Sequence, residues 1–269
     1  MGKIIAFANQ KGGVGKTTTC LNVSAYMALM GKKVLLIDID PQGNATSGLG
    51  QEKSNDYNGV YQVISGDCEP REAIIKTPVE NLDLLPANLD LAGVEVELVY
   101  KKNREKILKA ILDNIKGDYD YITIDCPPSL GLITINALTA ADSVCIPIQC
   151  EFFALEGLSQ LMNSVKIIKR NGLNPGLQIE GVVLTMRDTR SNLGKQVAEE
   201  ITNFFGEAVF KNSIPRNVRL AESPSYGLPV YLYDKSCSGA QSYLKLTEEI
   251  LTKNNDTFKK IRSKNKKED

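Results

Sequence analysis

The sequence contains no histidine, so imidazole catalysis and histidine-ligated metal are excluded. Six cysteines occur but no C-x-x-C pair, which argues against a zinc site or a redox dithiol and favours reduced thiols. No stretch resembles a signal peptide, and no apolar run approaches the ~18 residues of a membrane-spanning helix. We therefore expect a cytoplasmic protein.

A net charge is also missing, because 32 Lys and Arg residues balance 32 Asp and Glu residues. A neutral chain has no general attraction to nucleic acid. Any DNA binding must therefore come from a local patch or from the summed patches of two subunits. The 269 residues suffice for one large domain with a substantial core.

Strand-like and helix-like segments alternate along the chain, which predicts an α/β fold with a doubly wound, mostly parallel sheet flanked by helices. We expect one domain over residues 1–252. The basic remainder, 253–269, is either a disordered end or a DNA-binding arm. Predicted strands cover residues 3–8, 33–37, 82–86, 119–125, 143–148, 178–185 and 208–214. Predicted helices cover residues 16–30, 88–116, 155–168, 191–205 and 240–251.

Residues 9–19 read Asn-Gln-Lys-Gly-Gly-Val-Gly-Lys-Thr-Thr-Thr, between a predicted strand and a predicted helix. Glycines let successive N–H groups curl toward anionic oxygens, and the next helix aims its positive end at the same place. The usual phosphate loop, G-x-x-x-x-G-K-[ST], is kept except at its first position, where Gln10 stands. Lys16 should reach the β- and γ-phosphates of a nucleotide, and the Thr17 hydroxyl should contact Mg²⁺.

A second lysine, Lys11, stands at the start of this loop. The phosphates of its own site are awkward to reach from there. Lys11 could instead contact a nucleotide held by a facing subunit, and the alternative is a solvated surface lysine beside a tight turn.

Three acids stand at or just beyond the ends of predicted strands, where ligands of open α/β sheets gather. Asp125 fits the acid that holds Mg²⁺, through water, in phosphate-loop nucleotide hydrolases. Asp40 could orient or deprotonate the water that attacks the γ-phosphate. Asp38 either supports a Mg²⁺-bound water or caps the strand end.

The string Lys-Gly-Gly-Val-Gly-Lys-Thr-Thr resembles the deviant Walker A motif of the MinD/ParA ATPases. The longer string through Asp38 to Thr46 narrows the resemblance to the ParA type, above all to the short chromosomal Soj form. The similarity covers residues 3–250 and implies a deviant P-loop NTPase with ATP and Mg²⁺ as cofactors. Lys11, Lys16 and Asp40 would be its catalytic residues. Its implied nucleotide contacts are Lys11, Gly12, Gly13, Val14, Gly15, Lys16, Thr17, Thr18, Pro215 and Asn217. For the base the resemblance points to two segments that follow predicted strands, Thr185-Met186-Arg187 and Ile214-Pro215-Arg216-Asn217, and Pro215 and Asn217 match the adenine contacts.

The resemblance also implies what the hydrolysis does. Two subunits would sandwich two ATP molecules, bind double-stranded DNA without sequence preference, and move the chromosomal origin after a ParB-type partner stimulates hydrolysis. Such a protein is cytoplasmic and associated with the nucleoid. Arg190 matches an arginine that binds DNA, although it could be a surface arginine at a helix start. Further candidates by charge alone are Lys211, Arg219 and Lys245.

Three other functions use the same scaffold. A MinD-like positioning ATPase needs an amphipathic membrane helix, and the polar C-terminal stretch around Phe258 and Ile261 has a meagre apolar face, so we expect no stable membrane association. The second is a biosynthetic or redox enzyme, such as dethiobiotin synthetase or the nitrogenase iron protein. Cys126 resembles a metal-cluster ligand of such an enzyme only weakly. A plasmid ParA is the third, but that form begins with a helix-turn-helix.

Overall fold

The computed structural model describes residues 2–54, 56–151, 154–188 and 190–261. The strands are β1 Lys3–Phe7, β2 Val34–Asp38, β3 Ile75–Lys76, β4 Leu82–Leu85, β5 Tyr121–Asp125, β6 Ser143–Gln149 and β7 Gln178–Thr185. The α-helices are α1 Lys16–Leu29, α2 Asn44–Gly48, α3 Val60–Ser65, α4 Pro70–Ala73, α5 Val94–Leu98, α6 Ile107–Asp113, α7 Leu132–Ala140, α8 Ala154–Arg170, α9 Asn192–Phe205, α10 Val218–Glu222, α11 Val230–Asp234 and α12 Ser238–Lys253. Turns of 3₁₀ helix cover Leu89–Gly93, Arg104–Lys106, Lys116–Asp118, Gly206–Ala208 and Ser223–Tyr226.

The strands form one sheet in the order β3-β4-β2-β5-β1-β6-β7. Neighbours run parallel except for the short β3, which pairs antiparallel with β4. The central β1 pairs with β5 on one side and β6 on the other. The connection from β1 through α1 leads to β2 in one half of the sheet, and the connection from β5 through α7 leads to β6 in the other half, so the winding reverses between β1 and β5. A crevice at the carboxyl ends of such strands is where ligands bind in open α/β sheets. The predicted α/β fold is confirmed.

The core lies on both faces of the sheet because side chains alternate along each strand. In β1, Ile5 and Phe7 belong to the apolar cluster that contains α1 and α12, while Ile4 and Ala6 belong to the cluster of α7 and α8. Burial of each large apolar side chain contributes roughly 1.5–3 kcal/mol. These two clusters hold the carboxyl ends of the central strands rigidly in place.

The prediction of one long helix over 88–116 is wrong, because the stretch is broken into short helical pieces. Asn103 has a left-handed backbone (φ 54°), which a right-handed helix does not allow. The side chain of Asn136, in α7, satisfies the backbone at this break. It donates to the Arg104 carbonyl at 2.7 Å and accepts from the Leu108 N–H at 3.1 Å. A tertiary contact therefore overrides the local helical pattern.

The predicted strand over 208–214 is also wrong, since only an isolated bridge joins Val209 to β7. The carboxylate of Glu249 accepts from the backbone N–H groups of Lys211 (2.8 Å) and Asn212 (3.2 Å). Phe210 and Ile214 still donate to β7, at the carbonyls of Val182 (3.0 Å) and Leu184 (2.8 Å). The Asn212 donor between them is taken by Glu249, so a continuous ladder with β7 does not form.

Residues 254–261 contact the domain at the end of the sheet where the parallel strands begin. The Asp256 carboxylate accepts from Lys32 Nζ at 2.6 Å and from the Tyr121 hydroxyl at 2.8 Å. Phe258 and Ile261 are partly buried against the cluster that contains α1. The rest of the predicted tail, 262–269, lies outside the described residues.

Across the part of the chain that the structure describes, none of the helices combines the length and the apolar sequence needed to cross a membrane.

Candidate functional site

The Gly-rich loop leaves β1 and enters α1 at Lys16. Gly13 (φ 73°) and Gly15 (φ 81°) both have left-handed backbones, which only glycine adopts without cost. The Thr185 hydroxyl, at the end of β7, donates to the Val14 carbonyl at 2.8 Å and ties the loop to the sheet. This curled backbone at a helix N-terminus is a ready anion site.

Lys16 lies across this loop. It is buried, and its Nζ donates to the Lys11 carbonyl at 3.1 Å. Burial lowers the pKa of Lys16, while the nearby charges of Asp125 and Asp40 oppose that shift. The ammonium has no carboxylate ion-pair partner among the described residues, so it is available to a phosphate.

Asp38 and Asp125 lie in register at the ends of the neighbouring strands β2 and β5, and both are fully buried. The Asp38 carboxylate accepts three hydrogen bonds, from the Thr46 N–H (2.7 Å), the Thr46 hydroxyl (2.8 Å) and the Asp40 N–H (3.2 Å). Burial nevertheless raises the pKa of Asp38 to about 6. Asp38 therefore organises the segment that follows β2.

Asp125 differs from Asp38 in its hydrogen bonding. Neither of its carboxylate oxygens has a hydrogen-bond partner within the described residues. Burial and then the charge of Asp38 raise the pKa of Asp125, and the nearby Thr17 hydroxyl and Lys16 ammonium act in the lowering direction. An unpaired buried carboxylate is costly unless a cation or donor approaches it.

A magnesium ion fits this corner. Asp125, a threonine hydroxyl and nucleotide phosphates are oxygen ligands, which Mg²⁺ prefers while it keeps several waters. The described residues contain no cluster of three or more side chains able to hold a metal by themselves. The donor set therefore suits an ion carried in with phosphates, which agrees with the expectation that Thr17 and Asp125 hold Mg²⁺.

Asp40 lies two residues beyond β2 and is 7% exposed. Its carboxylate accepts from the Gln42 N–H at 2.9 Å, and its carbonyl accepts from the Gly43 N–H at 2.8 Å. This tight turn keeps the Asp40 side chain near the mouth of the loop, where its charge acts on Lys16. The site thus combines the Lys16 ammonium, the Asp125 carboxylate, which has no hydrogen-bond partner among the described residues, and the Asp40 carboxylate.

A cavity of about 210 Å³ adjoins the loop and brings distant segments together. Pro215 and Asn217 line it, as do Gly15 and Thr18 at the start of α1. The side chain of Asn217 caps α10 by accepting from the Arg219 N–H at 2.9 Å. A mostly apolar cavity beside a phosphate loop can accept a purine base.

Met186 and Tyr243 also line this cavity. Met186 lies in one of the two segments to which the family resemblance points for the base, whereas sequence reasoning missed Tyr243. Met186 has a left-handed backbone (φ 49°), a strained conformation that clusters at functional sites. Tyr243 in α12 donates to or accepts from the Thr19 hydroxyl at 3.0 Å, which anchors it against α1. The sequence carries no signal for Tyr243, because its spacing along the last helix is that of an ordinary core residue.

Lys11 lies apart from the buried group. Its side chain is 33% exposed, and its Nζ forms an ion pair with Glu151 at 3.2 Å, beyond the end of β6. Gly157 at the start of α8 packs beside it, because a Cβ there would lie 3.7 Å from the Lys11 Cβ. Lys11 is thus directed away from the pocket of its own Lys16.

Arg190 precedes α9, and its side chain is 90% exposed. The guanidinium donates to both carboxylate oxygens of Asp188, at 3.1 and 3.2 Å, and these bonds lower the pKa of Asp188. The positive charge of Arg190 is therefore accessible to solvent, but the carboxylate of Asp188 partly neutralises it. Of the other basic candidates, Arg219 pairs with Glu222 at 2.9 Å.

A parallel sheet with this loop after its first strand defines a nucleotide-binding protein of the phosphate-loop class. A family model described as an AAA domain matches residues 2–179. The sporulation initiation inhibitor protein Soj of Bacillus subtilis is 58% identical over 250 residues, which cover 93% of this chain and 98% of that protein. The chromosome-partitioning ATPase Soj of Treponema pallidum is 51% identical over 253 residues, 94% of this chain and 98% of that one. The chain belongs to the ParA/Soj family of chromosome-partitioning ATPases.

A solved structure adds to the likeness. Cobyrinic acid a,c-diamide synthase of Mycobacterium smegmatis, with a bound ATP analogue and magnesium, has a TM-score of 0.84 and 34% identity over 98% of this chain and 100% of that chain. Its name is that of a biosynthetic enzyme, one of the rival classes. The higher identity of the two Soj proteins favours the partitioning class.

Proposed function

We propose that this chain is an ATP-driven dimerising switch that binds DNA without sequence preference and segregates the chromosomal origin. As a member of a family of ATPases it hydrolyses ATP, with Mg²⁺ as cofactor. The observation that carries the switch is the position of Lys11. A lysine at the phosphate loop that pairs outward with Glu151 is suited to a phosphate on another subunit.

Binding of the nucleotide follows from the loop and the cavity. Backbone N–H groups of the loop from Gly12 to Thr18 would surround the phosphates, and Lys16 would supply a buried counter-charge. Thr17 and, through water, Asp125 would hold Mg²⁺, which when bound would supply positive charge to offset that of the phosphates. Pro215 and Asn217 would contact the adenine, since they share a cavity with Gly15.

Hydrolysis is assigned to Asp40. Its carboxylate is close enough to act electrostatically on Lys16, yet it is not buried as deeply as Asp125. A carboxylate at the edge of the phosphates can hold the attacking water in line and accept its proton. Lys11 from the facing subunit would stabilise the charge that develops on the phosphates. The loops 40–50 and 126–133 would respond to the γ-phosphate.

DNA binding is assigned to Arg190. A neutral monomer has little attraction for a polyanion, so the ATP dimer gains affinity by presenting two Arg190 side chains together. Release follows hydrolysis, which a ParB-type partner would stimulate. Repeated binding and release would keep the protein on the nucleoid and move the origin. We also keep the single ATPase domain over 1–252 as part of this proposal.

The test uses Asp40→Ala, which should bind ATP, hydrolyse it slowly and accumulate as a dimer. With ATP, but not with ADP or without nucleotide, this variant should bind random duplex DNA, with affinity that falls steeply as salt rises. Equal DNA affinity with and without ATP would reject the switch. Adding a ParB-type partner to wild type on DNA should raise the rate of hydrolysis.

The matched pair for the surface is Arg190→Ala and Asp188→Ala in the Asp40→Ala background. The first should dimerise but lose DNA binding, while the second frees the arginine and should bind at least as tightly. If Arg190→Ala binds DNA unchanged, the surface lies elsewhere. The next experiment is then deletion of the basic residues 262–269, which spares the segment 254–261 that contacts the domain.

A further inference from the structure

Thr46 is a buried residue outside the phosphate loop with an unusual set of contacts. It is fully buried in α2. Its hydroxyl donates to Asp38 at 2.8 Å and accepts from the Ala87 N–H, just beyond β4, at 3.0 Å. Its own N–H donates to the same Asp38 oxygen at 2.7 Å. The single hydroxyl therefore joins α2 to the ends of two neighbouring strands.

The other Asp38 oxygen holds the second end of the same segment. It accepts from the Asp40 N–H at 3.2 Å, so one carboxylate contacts both Asp40 and Thr46. Between them the chain makes the tight turn in which Gly43 has a left-handed backbone (φ 57°). The path from β2 to α2 is thereby fixed at its start and at its end.

We infer that Asp38 and Thr46 are positioning residues for hydrolysis, which clamp the segment so that the Asp40 carboxylate meets the attacking water. This inference rests on the catalytic role proposed for Asp40. Neither Asp38 nor Thr46 needs to touch the nucleotide, because both act through the backbone of Asp40. A displacement of about 1 Å at a reacting group can cost on the order of 100-fold in rate.

The first experiment compares Thr46→Val with Thr46→Ser. Valine keeps the shape of threonine but removes the hydroxyl, whereas serine keeps the hydroxyl. Thr46→Val should lower the rate at saturating ATP by roughly 10- to 100-fold, with little change in ATP affinity, and Thr46→Ser should restore most of the rate. Thr247→Val is the matched control, since Thr247 is equally buried and its hydroxyl bonds only within α12, to the Tyr243 carbonyl.

Thr46→Val with a wild-type rate would overturn the clamp. So would a loss of rate that serine does not restore, or a parallel loss of rate and ATP affinity like that of a merely destabilised variant. If Thr46→Val does not fold by circular dichroism, Asp38→Asn takes its place. In this variant the amide nitrogen would have to face the N–H of Asp40 or the donors of Thr46, where the carboxylate oxygen accepted before. We therefore expect the same fall in rate with unchanged ATP affinity.

A double variant separates this inference from the function on which it rests. If Thr46 acts through Asp40, the pair Asp40→Ala/Thr46→Val should be no slower than Asp40→Ala alone. Additive losses with a slow Asp40→Ala would overturn the clamp and leave the proposed function standing. A normal rate for Asp40→Ala would instead remove the catalytic role of Asp40, and the clamp with it.

Discussion

Gly50 and Gly227 cross so closely that a side chain at Gly227 would clash with the backbone of Gly50. A Cβ at Gly227 would lie 2.6 Å from the Cα of Gly50, and a Cβ at Gly50 would lie 3.3 Å from the Gly227 carbonyl oxygen. Gly50 follows α2, and Gly227 ends the turn after α10. The segment that carries Asp40 is therefore packed directly on the segment that borders the base cavity.

The first prediction concerns this crossing. Gly227→Ala should lower the free energy of unfolding by on the order of 2 kcal/mol, because it adds a backbone clash to a left-handed φ of 66°. Gly66→Ala is the control, since Gly66 shares a left-handed φ of 91° but has open space around it. Urea unfolding of both variants measures the difference. Equal losses would show that the close approach itself carries no cost.

Lys16→Ala should weaken ATP binding by roughly 10- to 100-fold, because the phosphates lose a buried, charged hydrogen-bond donor. Isothermal titration calorimetry with Mg²⁺ and ATP measures this. Unchanged affinity would contradict the phosphate-loop assignment. The variant should remain folded, since the lysine Nζ contacts only the carbonyl of Lys11.

Lys11→Ala should change ATP affinity by less than about fivefold, because its ion pair with Glu151 is exposed and lies outside the buried group. It should, however, fail to form the ATP dimer in a sizing run. Glu151→Gln is the matched control, as it breaks the same ion pair but leaves the lysine in place. A Lys11→Ala protein that dimerises and hydrolyses like wild type would exclude a cross-subunit role.

Asp125→Asn should stabilise the nucleotide-free protein at pH 8. The pKa of Asp125 is raised in the folded chain, so its contribution to the free energy of unfolding is most favourable at low pH and falls as pH rises through the raised pKa. The advantage of the variant should therefore shrink toward pH 4. Urea unfolding at both values, with and without Mg²⁺ and ADP, should also show a smaller ligand gain for the variant.

Asp83→Asn is the control for that experiment. Asp83 is also buried, but it accepts from Lys76 at 2.8 Å and from the Tyr119 hydroxyl at 3.0 Å. Removing a paired carboxylate should destabilise the protein at pH 8. If Asp125→Asn behaved in the same way, Asp125 would not be the unpaired acid described above.

The sheet and the phosphate loop could be predicted because their signals are local. Continuous apolar runs such as residues 34–37 and 121–124 suit strands covered on both faces, and each ends in a carboxylate at the ligand edge. The loop is recognisable because few backbone conformations require so many glycines at this spacing. Asp38, Asp40 and Asp125 could be placed at that edge for the same reason.

The rest depends on partners far along the chain. The break near Asn103 depends on Asn136, and the irregular stretch after Val209 depends on Glu249. The Asp38 carboxylate has hydrogen-bond partners, whereas that of Asp125 has none among the described residues. This difference depends on Thr46, which lies eight residues beyond Asp38 and on the far side of a turn. Hydrophobic periodicity carries no record of such side-chain-to-backbone bonds.

The docking of residues 254–261 has a practical consequence for microscopy. Asp256 is bound to Tyr121 at the first residue of β5, whereas Asp125 is the last residue of that strand, at the edge of the sheet that carries the phosphate loop. The strand separates the two by roughly 13 Å. We therefore expect a fluorescent reporter attached after residue 261 to begin at the end of the sheet remote from the phosphate loop, where it should leave nucleotide binding unchanged.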